Sequence, residues 1–554
     1  MVAIPQWLPV QQLFVGCAFA VAALAAWWFD RPRGRWGAAL RRRFLVGVPW
    51  GTLVSVLGVL AFYLFVQDGL HHWYAPVVIP YRAWSYFYPL GMLSASFAHV
   101  SPNHITGNLV GALTFGPLAE YAFGHFPRER GSTSFGSLRS NPYVRAFVFF
   151  PGLVVAVGLL TSAFAIGPVI GFSSVVFAAA GAALVFYPFA TVLAVVAGRV
   201  LDLVYSGLVE PRLVVEAKPS FSSPWWAQIA IQGHVMGLLI GVVLGVWLAR
   251  RRGDDRPPSL RLLTGAVLFT VTESLWAIYW FRGNQTYVLF RAAGTALIVL
   301  LSTLVVLAVD ASDRPLLPSR KPGTLGSAAR WQAGIAVLLI VLAGITGPAI
   351  PYNLTTVGDQ KLPGRSMAVR DYEVTYAENV PNGLTAAFDV SLFGETTEVN
   401  TSGVIVRSPA RDIWTTAVSK RKLAFDGRAA VRLGGPTWRD RVVAVRRGWT
   451  VLGGNTTYRV SLRHGDQSIP TYTAPPARAA LRLGGRNVSV AANRSRFLIE
   501  VGGDGGVVAA PIPPKNGSVT LDNVTFVHNG TDVFAEYRDT KVRVASKEKY
   551  KGQQ

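Results

Sequence analysis

The chain has 554 residues, 51% of them hydrophobic and 15% charged, with a formal net charge of +23. That apolar excess excludes a soluble globular protein with an ordinary polar surface. The single cysteine, Cys17, excludes an intrachain disulfide framework and a thiolate metal site, and it reads as a small hydrophobe on an apolar helix.

A bilayer-spanning helix needs about 20 mostly apolar residues. Ten spans are predicted, at about 8–29, 44–66, 92–120, 146–166, 171–187, 189–206, 225–249, 262–281, 286–309 and 331–351. Only Tyr187-Pro188 separates the fifth from the sixth. The first does not read as a cleaved signal peptide, because arginines follow it rather than precede it.

Loop charge sets the orientation. The segments Asp30–Arg43, 124–145, 250–261 and 310–330 hold 19 basic residues, whereas the alternate loops hold 4, namely Arg82, Arg212, Lys218 and Arg282. Lys and Arg concentrate in loops that stay cytoplasmic, so both termini are expected outside, in a multi-pass protein of the cell membrane. The net charge is therefore a matter of topology. No basic run with interleaved aromatics stands out, and no nucleic-acid partner is expected.

After Asn353 the long apolar runs end. Short alternating stretches follow, such as Tyr372–Tyr376, Ala386–Leu392 and Tyr458–Leu462, punctuated by Gly, Asn and Pro. This reads as an all-β sandwich, or two small ones. Eight Asn-X-Ser/Thr sequons in the stretch from Asn353 onward, at Asn353, Asn400, Asn455, Asn487, Asn493, Asn516, Asn523 and Asn529, fit an outward-facing glycosylated domain. An Asn/Thr-rich β surface without sugar is the plainer alternative.

Polar groups inside spans are costly, so each needs a reason. Three clusters stand out. The first runs from His99 through His104 to Asn108, followed by Gly116 and Glu120. His104 and Asn108 lie four apart and share a helix face, so both point donors toward one place, as a developing oxyanion requires. They equally satisfy each other or the helix start. The second is Gly171-Phe172-Ser173-Ser174, which opens an apolar helix rich in Ala and Gly. A serine there is a nucleophile or simply an N-cap. The third is Gly233-His234 with Gly237 and Gly241, a histidine at the edge of a flat glycine stripe that admits a close helix partner. Such a histidine is a base, a packing residue or a proton relay. In the orientation above, His104, Ser173 and His234 all lie toward the outer side, where a serine, a base and oxyanion donors converge at one depth.

This pattern resembles the rhomboid proteases over roughly residues 44–250. His99, His104 and Asn108 match the family's His-x4-His-x3-Asn element, and Gly116 and Glu120 match the Gly and Glu that follow it. Gly171-Phe172-Ser173 matches Gly-x-Ser, and His234, Gly237 and Gly241 match His-x2-Gly-x3-Gly. The resemblance implies a six-helix core and a Ser173–His234 dyad without a third carboxylate. It implies an oxyanion site from His104, Asn108 and the Ser173 backbone N–H, with His99, Glu120, Gly171, Gly237 and Gly241 as structural support. The loop 67–91, with Trp73, Trp84 and Tyr86, corresponds to the family's membrane-embedded first loop. Two residues depart from the pattern: Ser174 stands where a second glycine is usual, and Gly233 where alanine is common.

The expected fold class is a mainly α polytopic membrane protein with a C-terminal all-β extracytoplasmic domain. The expected divisions are 1–43, an extra helix and basic loop; 44–250, the rhomboid-like core; 251–354, three further spans; and 355–554, the β-rich domain. The expected activity is intramembrane serine proteolysis of transmembrane protein substrates within the lipid bilayer, with no cofactor and no metal. A silent rhomboid-like scaffold that binds client helices is the alternative motivated by Ser174. A transporter is a third, for which Glu273 inside Leu262–Phe281 is the best argument.

Overall fold

The computed structural model describes residues 9–30, 34–126, 131–212, 221–282, 286–314, 329–357, 362–383, 391–392, 395–396, 400–503 and 506–553. Arg31, Arg33, Arg128, Arg130, Lys218, Arg320 and Lys321 of the loop-charge argument, and all but two residues of the predicted strand Ala386–Leu392, lie outside them. The chain forms two compact units. One comprises Met1–Glu216, Pro224–Trp280 and Val288–Leu354; the other Ala217–Ser223, Phe281–Tyr287 and Thr355–Gln554.

The first unit is helical, because hydrocarbon leaves a backbone no other way to pair its N–H and C=O groups than helices or closed barrels. Its apolar helices are α1 (Val10–Asp30), α2 (Trp50–Ala61), α3 (Pro102–Phe123), α4 (Phe150–Ala163), α5 (Ser173–Phe186), α6 (Pro188–Val209), α7 (Ile231–Arg252), α8 (Ser259–Thr272), α9 (Arg291–Asp310) and α10 (Arg330–Thr346). Among the described residues six helices are long and apolar enough to cross a membrane. A π-helical turn, Phe62–Val66, extends α2, and another, Arg145–Phe149, leads into α4. Cys17 is exposed on α1.

Two predicted spans differ most from the observed helices. The predicted span 92–120 is interrupted: a short helix, Pro89–Ser94, ends before an irregular segment, and α3 starts afresh at Pro102. The restart has a local cause, since Ser101 is the N-cap, its hydroxyl accepting from the His104 N–H, and proline suits the first helical position. The predicted span 262–281 is helical only to Thr272; Ser274 takes a positive φ, and Tyr279–Phe281 pairs with Tyr287–Leu289 in a hairpin. Helix and strand share the same apolar composition there, which is why hydropathy does not separate them.

The centre of this unit is the α5–α7 crossing. A Cβ on Gly237 would meet the Ser174 carbonyl oxygen at 2.0 Å, and one on Gly241 would meet that of Ala178 at 1.9 Å. The backbones therefore touch, as small residues permit when burial in lipid offers no hydrophobic drive. Around the crossing pack Phe115, Val176, Phe177, Leu184, Leu238 and Leu239.

The second unit is all-β. Strands Met367–Val369, Tyr372–Pro381, Asn400–Ser408 and Ile413–Ser419 form an antiparallel meander in chain order. A larger antiparallel sheet centres on Trp438–Val451, flanked by Arg428–Gly435, Thr456–His464 and Thr540–Lys547. A four-stranded sheet runs from Ala477–Leu483 to Gly506–Pro511. Its Val488, Ile499 and Val501 share one core with Phe526, Val533 and Ala535 of the larger sheet, the face-to-face burial of a sandwich.

Seven of the sequons fall in this unit. Asn400, Asn455, Asn493, Asn516, Asn523 and Asn529 are exposed and Asn487 is half-buried. Asn516 and Asn523 have positive φ, so turn chemistry alone accounts for asparagine there. The expectation for Asn353 is corrected. This residue is fully buried in the helical unit, and its amide donates to the Ala165 carbonyl at 2.9 Å and to that of Ala163 at 3.3 Å, leaving no room for a glycan.

Candidate active site

The site begins with the irregular segment before α3. Gln67 fixes it: its Oε1 accepts from the His99 N–H at 2.7 Å, and its Nε2 donates to the carbonyls of His99, at 2.9 Å, and Val77, at 2.7 Å. The His99 ring is fully buried, and its Nε2 lies 3.0 Å from the Asn108 amide nitrogen. An amide nitrogen only donates, so His99 accepts at Nε2 and carries its proton on Nδ1. His99 thus orients Asn108 and leaves its second N–H free to act elsewhere. The His99 and His104 rings meet edge to face, with centroids 5.0 Å apart.

Gly171 closes this corner. Its φ of +125° is one that side-chain-bearing residues avoid. A Cβ there would stand 2.7 Å from His104 Nε2 and 3.4 Å from Asn108 Nδ2, so the space both donors face is held open by the missing side chain. The Gly171 N–H donates to the Ala95 carbonyl at 2.8 Å, and Arg82 holds the Pro168 carbonyl at 2.8 Å, pinning the approach to α5.

Ser173 is the first residue of α5. Its N–H belongs to the first helical turn, where backbone donors have no partner inside the helix. His234 lies in the first turn of α7, and its ring stacks on Phe177 at 4.2 Å and 12°. Phe177 is one helical turn from Ser173, so His234 packs on the face of α5 that carries Ser173. His234 Nδ1 is buried without a hydrogen-bond partner. Among the described residues no hydrogen bond joins Ser173 to His234.

A cavity of about 20 Å³ is lined in part by Ser96, Thr161, Gly171, Ser173, Ser174 and Gly233. A space of that size accommodates one water. The hydroxyl of Ser96 pairs with Ser162 at 2.7 Å and donates to the Gly158 carbonyl at 2.7 Å, giving the cavity a polar wall.

Glu120 stands apart from these groups. It follows His104 by sixteen positions on α3, about 24 Å along the helix axis. Its carboxylate accepts from the N–H groups of Gly51 and Thr52 and from the Thr52 hydroxyl, each at 2.7 Å, and so caps the start of α2. His125 Nε2 lies 2.6 Å from the same carboxylate, and its Nδ1 accepts from the Leu45 N–H at 2.8 Å. Glu120 is thus a structural clamp, and Gln67, Phe177 and His125 are working partners that residue type and spacing did not single out.

In the first loop the polar tips of Trp84 and Tyr86 are satisfied by backbone. The indole of Trp84 donates to the Ile79 carbonyl at 2.6 Å, the Trp73 carbonyl accepts from the Tyr63 hydroxyl at 2.5 Å, and the Tyr86 hydroxyl donates to Ala163 at 2.7 Å.

Residues 87–251 match the rhomboid domain. The match spans α3 to α7 and contains His99, His104, Asn108, Glu120, Gly171, Ser173, His234, Gly237 and Gly241. No curated protein and no solved structure matches the chain significantly. By this match, and by the helical bundle that holds it, the chain is a multi-pass membrane protein that carries a rhomboid domain over residues 87–251.

Proposed function

We propose that the chain is an intramembrane serine endopeptidase that cleaves transmembrane helices of substrate proteins near the outer membrane face. The observation that carries this reading is the corner at Gly171, where His104 and Asn108 face one open space two residues from Ser173. In this reading the Ser173 hydroxyl attacks the scissile carbonyl while His234 accepts its proton. The tetrahedral oxyanion receives hydrogen bonds from Asn108, His104 and the Ser173 N–H. His234 then gives its proton to the leaving amine, and a water held beside Ser173 hydrolyses the acyl-enzyme. The arginine-rich loops support an orientation with both termini outside, so that the site opens outward. In the same reading the exposed sequons of the β unit face a glycosylating compartment. The test is cleavage of a model single-span substrate in liposomes. Wild type cleaves, Ser173→Ala and His234→Ala do not, and undiminished cleavage by either variant overturns the assignment.

A second reading is a silent rhomboid-like scaffold that binds client helices. The observation in its favour is the lack of a Ser173–His234 hydrogen bond among the described residues. Catalytic hydrogen bonds are often long without substrate and tighten when it binds, which is why proteolysis is preferred.

A further inference from the structure

A second, larger cavity lies at the other end of the bundle. It measures about 1090 Å³ and sits where α3 and α7 end and α4 is entered. Among the described residues lining it, six arginines (Arg42, Arg43, Arg139, Arg145, Arg251 and Arg252) face one carboxylate, Asp254. Two of the six are hydrogen-bonded to backbone carbonyls, and Arg251 lies over the Trp247 ring, 5.3 Å from its centroid. Arg145 donates to the carbonyls of Gly124 and Phe123, each at 3.0 Å, and Arg252 donates to those of Ala122 and Phe123, so together they cap the C-terminus of α3. Of the others, Arg42, Arg139 and Arg251 are exposed and Arg43 is half-buried.

The rest of the lining has a consistent chemistry. Ser134, Ser137 and Ser140 bring hydroxyls to the same wall. Guanidinium groups with hydroxyls are the donor set that phosphate oxygens take. Phe149 and Trp247 border the cavity and are 37% and 56% exposed, as aromatic side chains are at a membrane interface. Positive charge at the end of spanning helices beside exposed aromatics is the setting in which lipid headgroups bind.

We infer that this cavity binds the phosphate headgroup of an acidic membrane lipid. In the proposed orientation the lipid belongs to the cytoplasmic leaflet. The inference does not depend on Ser173 or His234.

The full chain, purified in neutral detergent, is titrated by native mass spectrometry with short-chain phosphatidic acid, phosphatidylcholine of the same chain length, and inorganic phosphate. Phosphatidic acid is expected to bind more tightly than the other two. Arg42→Gln/Arg139→Gln/Arg251→Gln leaves the helix-capping arginines in place, and is expected to weaken phosphatidic acid by roughly 100-fold, at roughly fivefold per charge. Arg261→Gln, outside the cavity lining, is expected to change nothing. Equal retention of phosphatidic acid and phosphatidylcholine by the wild type overturns the inference whatever the triple variant does. So does unchanged affinity in a folded triple variant. Inorganic phosphate binding as tightly as phosphatidic acid overturns the lipid assignment in favour of a free-anion site.

Discussion

The hydroxyl of Ser174 occupies space that a side chain on Gly233 would need: a Cβ built on Gly233 would lie 2.8 Å from Ser174 Oγ. The two departures from the family pattern therefore compensate each other across the α5–α7 contact. The hydroxymethyl of Ser174 takes up the space that the missing methyl of Gly233 leaves, and the helices still meet backbone to backbone at Gly237 and Gly241. Ser174 thus loses most of its force as an argument for a silent protein.

This relationship predicts coupling. Gly233→Ala alone drives Ser174 from its rotamer and is expected to cost about 1 kcal/mol. Adding Ser174→Gly to it is expected to restore that stability. Thermal unfolding of the four forms in detergent measures the cycle, and strictly additive effects would show that the pair is independent.

Gly241→Ala has no such remedy. Its Cβ would meet the Ala178 carbonyl oxygen at 1.9 Å, which is backbone and cannot turn aside. The helices must separate, at about 3 kcal/mol, the upper end of overpacking costs. Stability and cleavage are expected to fall together, and a variant with wild-type melting would contradict the close crossing.

Glu120→Ala removes a buried carboxylate from three donors at the start of α2 and takes from His125 the partner of its Nε2. The expected loss is about 3 kcal/mol or more, since each buried donor left without its acceptor costs about 1–3 kcal/mol. Because the carboxylate lies far from the Gly171 corner, cleavage per folded molecule should be retained at low temperature. A folded variant without activity would place Glu120 in the chemistry instead.

Asn108→Ala removes an oxyanion donor and is expected to lower kcat about 10²–10³-fold with KM little changed. His99 acts on Asn108 rather than on substrate, so His99→Ala should also lower kcat, by less. A larger effect on KM than on kcat in both variants would argue that the pair shapes binding rather than the transition state.

Much of this arrangement is legible in the sequence because membrane physics is restrictive. Apolar runs of about 20 residues have few alternatives, and polar residues within them demand a purpose. His99, His104, Asn108, Ser173 and His234 stand out for that reason. What spacing does not show is approach between helices. The complementarity of Ser174 and Gly233, the stacking of His234 on Phe177 and the grip of Gln67 on His99 are contacts between separate elements. The same limit explains Asn353: a sequon specifies an acceptor, not whether neighbouring carbonyls have already claimed it. It also explains Leu262–Phe281, where Trp276, Tyr279 and Phe281 suit a hairpin as well as a helix.

The central claim is that Ser173 is an activated nucleophile, and covalent labelling tests it most directly. The full chain in detergent is treated with a fluorophosphonate probe, beside Ser173→Ala and His234→Ala. The account predicts labelling of the wild type at Ser173, none in Ser173→Ala and little in His234→Ala. A properly folded wild type that takes no label, or labelling that persists in Ser173→Ala, would contradict it.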